Sequence, residues 1–261
     1  MVDELADVQG YGDLRRVGID KVGVRGVSLP LKIKDKVSGF QYVSASVDCF
    51  VDLPHEFRGA HMSRFIEVLN ECRGKVFGGD VVRRMLVELR KRLCADSSHV
   101  RVVFPYFVEK TAPVSGKKSV MKYDCTFFGD YCESFSFMIE IKVPVATLCP
   151  CSKEICGNGN GAHNQRGVVT VRVRCGGFVW IEDIIKIVEG SCSTEVFSLL
   201  KREDEKAVCE TMYRQPMFVE DVVREVVLKL RKVKGVSGFK VECENFESIH
   251  AHNAYAMVDE L

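Results

Sequence analysis

The side chains with most chemistry to offer in this 261-residue chain are its 6 histidines and 12 cysteines, and the informative ones lie in the second half. Cys149-Pro150-Cys151 opens a stretch that runs through Gly157, Gly159 and Gly161 to His163 and Arg166. The stretch breaks both helical and strand periodicity and reads as a long loop with ligand-type side chains at both ends, a common place for function. Further on stands Glu247-Ser248-Ile249-His250-Ala251-His252. If that segment is extended, His250 and His252 share one face. One thiolate, imidazoles and a carboxylate suit a borderline divalent metal such as zinc, with room for water. The single-residue spacer of Cys149 and Cys151 is not the two-residue spacer of zinc ribbons or thioredoxins. A loop holding buried thiols therefore stays open as the alternative.

Other chemistry-bearing residues have bland readings beside the functional ones. Lys201-Arg202-Glu203-Asp204-Glu205-Lys206 reads as a solvated charged turn. Phe218-Val219-Glu220-Asp221 reads as a helix start, where acidic residues are favoured. His55 and His61 flank the first predicted helix, either as capping and surface groups or as contributors to a site across a subunit contact.

The elements that must position these residues are legible in the spacing. Val43, Ala45, Val47, Cys49 and Val51 alternate with polar residues, which predicts a strand after another at 22–34. Phe65, Val68, Leu69 and Cys72, then Val82, Met85, Leu86, Leu89 and Leu93, have helical spacing. Strands follow at 100–108 and 119–127. The second half has strand spacing at 135–143 and 169–173, helical spacing at 181–188 and 219–230, and strand spacing at 239–243 and 253–258. Each half reads strand–strand–helix–helix–strand–strand, without obvious identity between halves. This favours an α+β chain with antiparallel sheets and helices on one face. The division falls at 1–130 and 131–261, with most site residues in the second unit.

Composition bounds the class. Lys and Arg total 37 against 36 Asp and Glu, a net charge of +1. That argues against a chain devoted to nucleic acid or an anionic membrane. The longest nearly apolar run, 102–108, is far short of the roughly 20 residues that span a bilayer. The acidic N-terminus is no signal or transit peptide, so a cytoplasmic protein is expected. There thiols stay reduced, and the cysteines other than Cys149, Cys151 and the ambiguous Cys156 read as packing.

Five blocks together carry a resemblance: Asp13-Leu14-Arg15-Arg16-Val17-Gly18, His61-Met62-Ser63-Arg64-Phe65, Cys149-Pro150-Cys151-Ser152-Lys153, Gly161-Ala162-His163-Asn164-Gln165-Arg166-Gly167, and Glu244-Asn245-Phe246-Glu247-Ser248-Ile249-His250-Ala251-His252. In order, and over nearly the whole chain, they resemble the type IB GTP cyclohydrolases, prokaryotic and metal-dependent. The archaeal GTP cyclohydrolases of methanopterin synthesis look similar. The loop between Cys151 and His163 is slightly longer than the family pattern.

The resemblance implies the tunnelling fold, two units per chain, in a homo-oligomer, usually a tetramer, with active sites at subunit interfaces. That would give His55, Arg58, His61 and Arg64 a reason to be where they are. It implies Cys149, His163, Glu205 and His250 as ligands of zinc, manganese or iron, with no organic cofactor. Cys149, Cys151, Glu220 and His252 would be catalytic. Glu247 would hold guanine through two hydrogen bonds to adjacent N–H donors. His61, Arg64, Lys153, Arg166, Lys201 and Arg202 would face the substrate, with Arg214 a further cation for the triphosphate. The implied reaction turns GTP and water into formate and 7,8-dihydroneopterin triphosphate, at the entry to folate synthesis. The rivals are the archaeal-type reaction ending at a 2′,3′-cyclic phosphate, a tunnelling-fold nitrile reductase, and a zinc or redox protein without turnover.

Overall fold

The computed structural model describes residues 6–157, 159 and 161–261. The first five residues of the acidic N-terminus lie outside them. The chain forms two compact units. Unit 1 takes the described residues up to Phe104 with Thr126–Met138, and unit 2 takes Pro105–Cys125 with Ile139–Leu261. These differ from the contiguous halves of the sequence reading at 105–125, which belongs to unit 2, and at 131–138, which belongs to unit 1. The strands β4 (Ser98–Thr111) and β5 (Lys118–Tyr131) are 14 residues each, and at about 3.3 Å per residue they outrun one core. Their open end belongs to unit 1 and their turn end to unit 2.

In unit 1, β1 (Ile19–Asp35) and β2 (Gly39–Leu53) form an antiparallel hairpin. Its turn is set by Asp35, whose Oδ1 accepts the Val37 and Ser38 amides at 2.9 and 2.6 Å. Helices α1 (Met62–Glu71) and α2 (Gly79–Leu93) bracket the two-residue β3 (Val76–Phe77), which pairs parallel with β1. The strand order is β3-β1-β2-β4-β5, continuing to the start of β6 (Phe135–Leu148). The predicted face Val43, Ala45, Val47, Cys49 and Val51 is buried, as are Phe65, Val68 and Leu69 of α1 and Val82, Met85, Leu86 and Leu89 of α2.

In unit 2 the strand order is β5-β6-β7-β9-β10, with β7 (Asn164–Cys175) antiparallel to β9 (Val236–Asn245), β9 antiparallel to β10 (Ala254–Glu260) and β8 (Thr194–Glu195) antiparallel to β6. Four helices accompany them: α3 (Pro150–Cys156), α4 (Ile181–Glu189), α5 (Arg202–Arg214) and α6 (Val219–Leu230). Helix α6 packs on β9, β10 and α4. Its buried face is Val219, Val222, Val223, Val226, Val227 and Leu230. Valine is a poor helix former, so this helix exists because tertiary burial, at about 1.5–3 kcal/mol per such side chain, overrides propensity.

Three expectations are corrected. The stretch after Cys149 is not irregular throughout: 150–156 is helix α3, started by Pro150 at its first position and ended at Gly157. The charge run is not a turn but the first turn of α5, a helix without a broad apolar stripe because only Asp204 and Met212 are buried. His250 and His252 are not on a strand. Asn245 pairs with Ala254, so 246–253 is the loop of the β9–β10 hairpin. The cysteine reading holds for Cys49, Cys72, Cys125, Cys192 and Cys243, which are buried, but Cys94, Cys132 and Cys209 are exposed and Cys175 is half-buried.

Candidate active site

One end of unit 2 collects the chemistry. The Cys149 amide donates to the His163 carbonyl at 3.1 Å, the Met217 amide to the Leu148 carbonyl at 3.1 Å, and the Phe246 amide to the Arg166 carbonyl at 2.9 Å. These bonds bring the starts of α3, β7 and α6 to the end of β9. Antiparallel pairing of β7 with β9 sets Gly167 opposite Asn245, so residues just before β7 and just after β9 are neighbours.

His163, Glu247 and His250 converge there, with a ligand atom of each within 4.8 Å of the others. His163 Nδ1 is 2.9 Å from Gln165 Oε1 and 3.7 Å from Glu247 Oε2. The His163 and His250 rings meet edge-on at 6.0 Å, and His250 stacks on His252 at 5.3 Å. The β9–β10 loop thus stacks His250 on His252 without the strand geometry and brings His250 against His163 from just before β7. Glu247 Oε2 is buried without a hydrogen-bond partner. A buried carboxylate oxygen without a hydrogen bond is costly, and His163 Nδ1 at 3.7 Å is the cationic group beside it when the ring is protonated. Two imidazoles beside a carboxylate form a donor set that suits zinc, iron or manganese.

Cys149 stands at the N-cap of α3, where its Sγ accepts the Ser152 amide at 3.3 Å. It is tied to His163 by backbone but lies outside the three-residue group. Ser152 Oγ in turn accepts the His163 amide at 3.3 Å. Cys151 is exposed in the first turn of α3 and Glu220 in the first turn of α6. Glu205 is exposed in the first turn of α5 and is also outside the group.

The cations divide. Lys153 is engaged: its Nζ donates to the Tyr213 carbonyl at 2.7 Å and lies over the Tyr213 ring at 4.5 Å, joining α3 to α5. Arg166, Lys201 and Arg202 are exposed. Arg214 bonds within its own helix to the Glu210 carbonyl and Thr211. In unit 1, His61 precedes α1 and its Nε2 is 2.8 Å from Asp7 Oδ1. That hydrogen bond lowers the Asp7 carboxyl below its usual range. Arg64 donates to the Arg92 carbonyl at 2.7 Å, Arg58 pairs through its amide with the Tyr11 carbonyl, and His55 lies 3.4 Å from Glu56.

Comparison with known proteins decides the family. A model described as type I GTP cyclohydrolase folE2 matches residues 5–256. The chain belongs to that family. It is 53% identical over 256 residues to "GTP cyclohydrolase FolE2" of Syntrophus aciditrophicus, covering 98% of this chain and 99% of that one. It is 50% identical over 256 residues to the protein of the same name from Geobacter sulfurreducens, covering 98% of each. As a member of this family it is an enzyme, a GTP cyclohydrolase. Among solved structures, uricase from Arthrobacter globiformis superposes with a TM-score of 0.53 at 10% identity, over 94% of each chain. Urate oxidase from Bacillus subtilis 168 gives 0.52 at 9% identity, over 92% of this chain and 98% of that one. At such identities the likeness shows the fold alone: mixed α+β with a large sheet. No helix among the described residues is long and apolar enough to cross a membrane.

Sequence reading leaves several members of this site without a role. Thr147, Gln165 and Asn245 are buried polar residues, of which Gln165 meets His163, and Asp204 is buried next to Glu205 in sequence. Gln165 and Asn245 stand inside the blocks that carry the resemblance, but a buried amide is indistinguishable from an exposed one until strands are paired.

Proposed function

We propose that this chain is a metal-dependent cyclohydrolase of the type IB kind, which takes GTP and water to 7,8-dihydroneopterin triphosphate and formate at the entry to folate synthesis. Family membership gives the reaction class, and the convergence of His163, Glu247 and His250 is the observation that carries the site. His163 and His250 would hold a zinc, manganese or iron ion, with Cys149 beside them and Glu205 completing the implied set. Such an ion supplies a Lewis acid that lowers the pKa of a water toward neutrality.

The chain's own groups do the rest. The orphan oxygen of Glu247 accepts N–H donors from the guanine edge, which selects guanine over adenine. Cys151, Glu220 and His252 are the groups that exchange protons with the ring nitrogens while C8 departs as formate. Arg166, Lys201 and Arg202 are the exposed cations suited to the triphosphate. Lys153, whose Nζ also donates to the Tyr213 carbonyl, is a further cation for the substrate. His61 and Arg64 of unit 1 would serve a neighbouring chain's site in a tunnelling-fold tetramer in the cytoplasm.

The experiment is direct. Purified protein is incubated with GTP and Zn2+ or Mn2+, and formate and the oxidised fluorescent pterin are followed. Turnover to both products is expected, and no turnover with any divalent metal rejects the reading. Product mass separates the triphosphate expected here from a 2′,3′-cyclic phosphate.

A further inference from the structure

Thr147, Gln165 and Asn245 are three polar side chains in the interior of unit 2, at 0%, 7% and 2% exposure. They come from three adjacent strands, β6, β7 and β9. Valine or leucine at these positions would be cheaper to bury, since an amide leaves water only at the cost of its hydrogen bonds. Their bonds instead converge on one hydroxyl. Asn245 Nδ2 donates to Thr147 Oγ1 at 2.8 Å, and Gln165 Nε2 donates to the same oxygen at 2.9 Å. With its nitrogen committed there, Gln165 turns its oxygen to His163 Nδ1 at 2.9 Å.

An amide oxygen only accepts, so with the Gln165 amide in this orientation Nδ1 carries the proton. Glu247 Oε2, 3.7 Å from the same nitrogen, is beyond hydrogen-bond distance. His163 is therefore held as the Nδ1–H tautomer with the lone pair on Nε2. The backbone of the same residue is gripped on both sides, by Ser152 Oγ and by the Cys149 amide. Close strand approach protects the arrangement. A Cβ on Gly167 would stand 2.5 Å from Asn245 Oδ1 and 2.8 Å from the Glu244 carbonyl.

We propose that Thr147, Gln165 and Asn245 are positioning residues that fix the tautomer and ring orientation of His163, which leaves the lone pair of its Nε2 for a metal. The inference rests on the reading of His163 as a metal ligand and adds the support beneath it. Groups that accept the second N–H of a ligating histidine are generally worth about 10–100-fold in metal affinity.

The test has two arms. Zn2+ affinity is measured by chelator competition on wild type, Gln165→Leu, Gln165→Glu and Thr147→Ser. Gln165→Leu should bind about 10–100-fold more weakly. Gln165→Glu, which keeps an acceptor for Nδ1–H, and Thr147→Ser, which keeps the hydroxyl, should stay within about threefold of wild type. A role in packing alone predicts the reverse for Gln165→Glu, since it buries a charge. Equal affinity of folded Gln165→Leu and wild type overturns the proposal. The second arm is long-range 15N–1H correlation on histidine-labelled, metal-free protein, at a pH where the ring is neutral. Nδ1–H on His163 in wild type, lost in Gln165→Leu, supports the proposal, and Nε2–H in wild type overturns it. If wild type binds no Zn2+, the metal reading falls, and the histidine spectrum by itself decides whether Gln165 sets the tautomer.

Discussion

Glu247 is the residue on which sequence and geometry meet most sharply. The resemblance gives it to guanine, while the fold sets it beside His163 and His250 with one oxygen buried and unpartnered. The two roles separate in one variant. With guanine as its partner, Glu247→Ala keeps metal content near wild type and loses about 10–100-fold in GTP affinity, the worth of charge-assisted hydrogen bonds. Metal analysis and equilibrium binding check this, and loss of the metal would reassign Glu247 as a ligand. The cysteines divide on equally local grounds. Burial pushes the thiols of Cys49, Cys192 and Cys243 up to about 12, so they stay protonated and unreactive. Cys151 instead stands exposed in the first turn of α3.

Among the elements, α5 depends on one buried carboxylate. Asp204 accepts the Val114 and Ser115 amides at 2.8 Å each, the Ser115 hydroxyl at 2.6 Å and the Lys201 amide at 2.8 Å. It fastens the helix that carries Glu205 to the β4–β5 turn. Burial raises its carboxyl pKa, but the hydrogen bonds from Ser115, Lys201 and Val114 outweigh it and hold the group well below the usual carboxylate range. A depressed native pKa means that the unfolded chain binds the proton first, so this stabilisation is present above about pH 3.9 and fades as pH falls below it. Asp204→Asn should therefore unfold at lower urea than wild type at neutral pH, with the two midpoints converging in acid. A gap that persists unchanged at low pH would assign the contribution to shape rather than charge.

For the whole molecule, the balanced net charge of +1 and a site that converges at one end of unit 2 fit an enzyme of a small anionic substrate better than a polymer binder. Ligand binding to the native state raises apparent stability by mass action, about 2.7 kcal/mol at a hundredfold excess over Kd. GTP should raise the melting temperature of the metal-loaded protein, and ATP should do so far less because it lacks the donor pair for Glu247. Equal shifts from both nucleotides would remove guanine selectivity from this site. Sedimentation at micromolar concentration should show four chains together, and a monomer would leave the residues of unit 1 without a shared site.

Much of the fold is legible in local spacing. The period-two faces of β2, β7 and β9 and the apolar stripes of α1, α2, α4 and α6 are of this kind, because burial of one face imposes that spacing on the residues themselves. The residue blocks around Cys149, His163 and His250 are equally plain, since their types are rare together. Helix α5 is not, because its order comes from Asp204 reaching residues some ninety positions away rather than from an apolar stripe. His250 and His252 belong to a loop and not to the expected strand, because hairpin register decides where a strand stops. Nor does sequence distinguish Gln165 and Asn245 from surface amides. The sequence by itself marked the candidate residues for the chemistry and determined which faces seek the core. Only the tertiary structure decided which polar groups stand together, because hydrogen-bond partners are chosen by strand pairing between segments remote in the chain.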